Sequence, residues 1–144
     1  MLVKFKKLQE NAKAPSRAYR GDAGWDLYAT ERITVPALQD SNGRPTEVKI
    51  GLAFEVPEGW QLQIHTRSSS GKRGLRCHLG VVDAGYRNEV TIFVFNNSTV
   101  DYIIEPGDKI AQAIFLPVPD MDMEEAAELS QSERGLKGVG SSGR

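Results

Sequence analysis

Five islands of polar and glycine-rich residues carry the side chains in this sequence that could do chemistry. The most telling is Gly80-Val81-Val82-Asp83-Ala84-Gly85-Tyr86-Arg87-Asn88-Glu89-Val90, where a tight Asp-Ala-Gly turn is followed at once by a tyrosine. A carboxylate held on a rigid β scaffold can act as a general base toward water, and a ring beside it can press on the face of a sugar or a base. An Asp that only shapes a turn would look the same locally. In Ala23-Gly24-Trp25-Asp26-Leu27, Asp26 could place a hydrated Mg²⁺, an ion that takes few protein oxygens and keeps several waters; alternatively it braces a turn. Arg67-Ser68-Ser69-Ser70-Gly71-Lys72-Arg73-Gly74 offers a guanidinium fork, hydroxyls and a bendable backbone to phosphate oxygens, or else is a solvated basic loop. It is not a Walker loop, because Thr66 stands where the first glycine is needed. Gln112, in an apolar strand-like run, must find partners for its amide if buried. The final island, Arg134 to Arg144, reads as a disordered tail, yet one Arg, several glycines and Ser141-Ser142 also suit a phosphate-closing lid.

The elements that must hold these islands in place are strands. Trp60 to His65 alternates strictly between apolar and polar, and Glu89 to Phe95 is apolar on both phases, as in a strand buried on two faces or lying in a subunit interface. Further strands are expected at Met1 to Leu8, Glu31 to Pro36, Val48 to Val56, Val100 to Ile104 and Ala111 to Pro117. The runs either side of Asp83 are expected to pair as a hairpin. One short helix is expected at Met123 to Leu129. The pattern is that of an all-β sandwich or barrel. We place one β domain over residues 1–130 and a flexible, glycine-rich tail over residues 131–144.

At 144 residues the chain holds one core, and its formal net charge of -1 gives no cause to expect duplex nucleic acid or an anionic membrane as partner. Cys77 is the only cysteine, which excludes an internal disulfide and a multi-cysteine zinc site. The start of the chain lacks a signal-peptide apolar stretch and no run reaches membrane-spanning length, so a cytoplasmic protein is expected.

The five islands, in this order and spacing from Ala23 to Gly143, resemble the five motifs of the trimeric dUTPase family. The resemblance implies a distorted jelly-roll β-barrel, a homotrimer with sites at its subunit interfaces, and Mg²⁺-dependent hydrolysis of dUTP to dUMP and pyrophosphate. By that resemblance Asp83 is the general base, and Tyr86 packs under the deoxyribose. Asp26 places the metal through water, and Arg67, Ser68, Ser69 and Gln112 position phosphates and water. Uracil is read by the backbone around Gly80 and Val82, with Cys77 where many members carry a base-contacting Asn. Arg134, Gly140, Ser141 and Ser142 close over the γ-phosphate, with Val139 where an aromatic usually stacks on the base.

Two other readings share part of this pattern. A dCTP deaminase of the same fold has a similar Arg67-Ser68-Ser69 run with Arg73, and Glu89 could be set against its catalytic Glu; a nucleotide-gated partner of some regulatory protein would need the pocket but not the chemistry.

Overall fold

The computed structural model describes residues 1–138. Among these, eleven short strands surround one core: β1 (Lys4–Lys7), β2 (Trp25–Tyr28), β3 (Ile33–Val35), β4 (Thr46–Lys49), β5 (Leu52–Glu55), β6 (Trp60–His65), β7 (Leu75–Cys77), β8 (Val81–Val82), β9 (Thr91–Asn96), β10 (Tyr102–Ile104) and β11 (Lys109–Pro117). All pairings are antiparallel, in sheets of order β2-β11-β6-β8 and β4-β9-β7 with two-stranded pairs β1-β5 and β10-β3. The alternating β6 pattern appears as expected, with Leu62 and Ile64 buried. Those side chains meet Leu27, Ile50, Leu52, Ile92 and Ile104, all completely or almost completely buried. Branched apolar side chains on one face of each sheet thus share a single interior, which is what period-2 patterning produces when sheets pack face to face.

Three local expectations need correction. The run Val48 to Val56 is two strands, because Gly51 takes φ 63° and turns the chain between β4 and β5; a Cβ there would also lie 2.9 Å from that of Ala12. The strands flanking Asp83 do not pair with each other. β8 adds to the edge of β6, whereas β9 is held by β4 and β7 on its two edges, so residues 83–90 cross from one sheet to another. No helix forms at Met123 to Leu129, a segment exposed along its length and so without the packing that a short helix needs. Instead the short helices are α1 (Leu38–Ser41) and α2 (Ser68–Lys72), the second built from the serine island itself.

On β9, Ile92, Val94 and Asn96 face inward, while Phe93 is 38% exposed and Phe95 half-buried. One chain therefore covers only one of the two apolar phases. Asn96 is buried and donates to the carbonyls of Val35 and Val100. No helix among the described residues is long and apolar enough to cross a membrane.

Candidate active site

Because β11 lies between β2 and β6, Gln112 stands opposite Asp26 on one side and His65 on the other. Arg67 follows two residues after β6 ends and leads into α2. Strand insertion thus brings Asp26, Arg67 and Gln112 together with Ser68, Ser69 and Gly24 around a pocket of about 570 Å³. Arg67 Nε donates to Asp26 Oδ1 at 2.7 Å, and its Nη1 reaches Ser69 Oγ at 3.2 Å and the Lys109 carbonyl at 3.3 Å. The guanidinium is thereby fixed before any ligand arrives, which is the preorganisation that phosphate recognition favours. Gln112 Nε2 donates to the Thr66 carbonyl at 3.1 Å, which leaves its Oε1 to face Gly24.

Two residues that shape this pocket escaped the sequence reading. Gly24 is required by close approach: a Cβ on it would fall 2.1 Å from Gln112 Oε1. Lys109 Nζ donates to Asp26 Oδ2 at 2.7 Å, so both carboxylate oxygens are held by cations. That hydrogen bond holds the Lys109 ammonium above its ordinary pKa. The glycine directly before Trp25-Asp26 was a visible cue for the first; nothing local marks the second.

Among the described residues no group of three or more His, Cys, Asp or Glu side chains is arranged to hold a metal ion. Asp26, a part-buried carboxylate at a pocket that Asp22 also lines, does fit a magnesium ion that keeps its waters and takes most other ligands from phosphates. Asp26 is the residue that would hold it.

The remaining residues gather elsewhere. Gly80, Val82 and Tyr86 line a second pocket of about 310 Å³ together with Ile64, His78 and Phe93. Tyr86 is pinned at both ends, its amide donating to Asp83 O and its hydroxyl to Glu89 O, each at 3.0 Å. Arg87 stiffens the same turn by donating to the carbonyls of Ala84 and Tyr86. Asp83 is exposed at the tip, its carboxylate without an ion pair or hydrogen bond among the described residues. Glu89 accepts from the Gly51 amide at 3.0 Å, which ties this loop to the β4–β5 turn.

Cys77 does not join this pocket. It is buried, its Sγ donating to the Ile110 carbonyl at 3.4 Å, and burial pushes its thiol up to about 11. The cause is strand phase: Leu75 and Cys77 face the core, so Arg76 and His78 face out, and it is His78 that lines the pocket. Arg134 also stands apart, donating to the carbonyls of Lys137 and Gly138 in its own segment at 3.2 Å. Val139, Gly140, Ser141 and Ser142 lie outside the described residues. The pocket around Asp26 and Arg67 and the Tyr86 pocket have no lining residue in common.

A protein-family profile described as dUTPase matches residues 10–143. Deoxyuridine 5'-triphosphate nucleotidohydrolase of Yarrowia lipolytica is 40% identical, over 99% of this chain and 90% of its own length. The protein of that name from Clostridioides difficile is 38% identical, over 98% and 97%. Among solved structures, Staphylococcus bacteriophage 80alpha dUTPase with dUpNHpp superposes with a TM-score of 0.91 at 27% identity, covering 99% of both chains. The barrel seen here is accordingly the jelly-roll expected from the sequence.

Proposed function

The chain belongs to the dUTPase family, and from that membership we propose that it hydrolyses dUTP to dUMP and pyrophosphate at sites shared between copies in a homotrimer. The observation that carries the shared site is the separation of its halves. The carboxylate suited to activate water, Asp83, sits on the loop beside the Tyr86 pocket, while Asp26, Arg67, Ser68 and Gln112 surround a different pocket of the same chain. A reaction needs base and phosphates within about 3–3.5 Å of the attacking water, and in this reading the Asp83 loop of one copy meets the phosphate pocket of another. The half-exposed aromatic phase of β9 gives such copies an apolar surface to share.

In this site Asp83 removes a proton from water as the water oxygen bonds to the α-phosphorus. The bond from the α-phosphorus to the bridging oxygen breaks, and pyrophosphate leaves with that oxygen. Arg67, with Ser68 and Ser69, takes up charge on the phosphate oxygens, and the Gln112 amide orients the water. Tyr86, locked by its two hydrogen bonds, presents a fixed face to the deoxyribose and leaves no room for a 2′-hydroxyl. The backbone at Gly80 and Val82 reads the uracil edge. Bound Mg²⁺, held through water at Asp26, would neutralise phosphate charge. In this reading residues 131–144 act as the lid, with Arg134, Gly140, Ser141 and Ser142 closing on the nucleotide's phosphates and Val139 at the base.

Pyrophosphate release from a panel of deoxynucleoside triphosphates tests this reading directly. Release from dUTP alone, lowered about 10²-fold or more by Asp83→Asn, is the expected result. Ammonia release from dCTP would instead establish the deaminase, although Glu89, its candidate acid, is engaged with the Gly51 amide.

A further inference from the structure

Asp26 is held by two cations of different standing. Arg67 lines the phosphate pocket with it. Lys109 does not; it lines an adjoining cavity of about 170 Å³, which shares Arg67 and Ser69 with the first, and touches Asp26 from there. Its position explains this, since Lys109 opens β11 opposite Tyr28, three residues before Gln112, where the β2–β11 register is irregular. Lys109 thus contacts the carboxylate without itself lining the pocket that Asp26 lines. Its direct partner at the pocket is Asp26, and the trio of Arg67, Lys109 and Asp26 carries net +1, set against one further carboxylate in the lining, Asp22.

We propose that Lys109 is a positioning residue acting through Asp26: it over-compensates that carboxylate, so that the free site favours the triphosphate over the bare divalent ion, and magnesium enters bound to nucleotide. Without Lys109, Asp26 and Arg67 form a neutral pair, and Asp26 becomes a better seat for a cation by itself. The claim rests on the reading of this pocket as the phosphate and magnesium site.

The charge of the ligand sets the expected sizes. Metal-free nucleoside triphosphate carries about four negative charges and its magnesium complex about two, so the same lysine acts about twice as strongly, in free energy, on the first. If removing it weakens metal-free binding about tenfold, it weakens binding of the magnesium complex only about threefold. The experiment is a calorimetric titration of dUpNHpp, with and without Mg²⁺, into the wild-type chain, Lys109→Met and Lys109→Arg. Lys109→Met should raise the metal-free dissociation constant about tenfold and the magnesium-loaded one about threefold, increasing the metal–nucleotide coupling. Lys109→Arg, which keeps the charge, should leave both within about twofold of wild type. A merely structural lysine would raise both constants by one common factor, and that result, or no change in either, overturns the proposal. With a side chain 41% exposed, Lys109 is not a core residue; should the Met variant fold poorly, Lys109→Gln must meet the same two ratios. A wild-type chain that binds no dUpNHpp would overturn the underlying reading of the pocket, an outcome distinct from equal weakening.

Discussion

Gly24→Ala isolates the placement of one amide from the stability of the fold. A Cβ at residue 24 would lie 2.1 Å from Gln112 Oε1, 2.9 Å from Cδ and 3.2 Å from Cβ, where ordinary contact begins at 3.4 Å. The amide oxygen must therefore retreat by about 1.3 Å, and the 3.1 Å bond from Nε2 to the Thr66 carbonyl goes with it. Gly24 is not in the left-handed region, so alanine fits its backbone. Losing one part-buried hydrogen bond costs about 1 kcal/mol, and replacing glycine by alanine returns about 0.4–1 kcal/mol by restricting the unfolded chain. The melting temperature should consequently move by no more than about 3 °C. Catalysis has no such compensation: displacing a positioning group by about 1 Å lowers turnover on the order of 10²-fold. The assay is pyrophosphate release from dUTP beside thermal unfolding, repeated in a Gln112→Ala background, where Gly24→Ala should do little because its target is gone. Near-wild-type turnover in Gly24→Ala, or an undiminished loss on top of Gln112→Ala, would refute the claim that Gly24 exists to admit that amide.

Three further outcomes follow from the same geometry. Asp83→Asn and Arg67→Ala should each lower turnover by about 10²-fold or more, yet refolding the two together should restore about a quarter of wild-type sites if base and phosphate groups come from different copies; no recovery on mixing would place both in one chain. The Cys77 thiol is neutral in the fold up to about pH 11 and ionises near 9 when unfolded, so the unfolded state binds fewer protons between those values. Stability should accordingly be intact below pH 9 and fall as pH rises toward 11, by about 2–3 kcal/mol, in denaturant titrations; a Cys77→Ala chain with the same decline would assign it elsewhere. Truncation after Ser130 should leave the melting temperature unchanged, since residues 118–138 are exposed and contribute no strand, while turnover drops with the loss of Arg134 and the serines.

The sequence alone determined what depends on short spacing. Strand period is two residues, so Trp60 to His65 announced its buried and exposed faces, and five polar islands in order announced their chemistry. What it left open was every choice of partner. Val81 and Val82 read as half of a hairpin, but which edge a strand joins depends on the edges the rest of the barrel leaves free, and β6 was free while β9 was not. Cys77 stands where the family resemblance expects a base contact, but order along the chain does not reveal strand phase, and the phase of β7 is set by packing against β9 and the core. Met123 to Leu129 has helical composition without the tertiary surface that would stabilise a helix so short. The same limit explains the site. Asp26, Arg67, Lys109 and Gln112 meet only because β11 inserts between β2 and β6, a long-range pairing. The clamp on Asp26 and the clearance above Gly24 are products of that insertion; local residue pattern supplies the groups, and only tertiary pairing decides which of them touch.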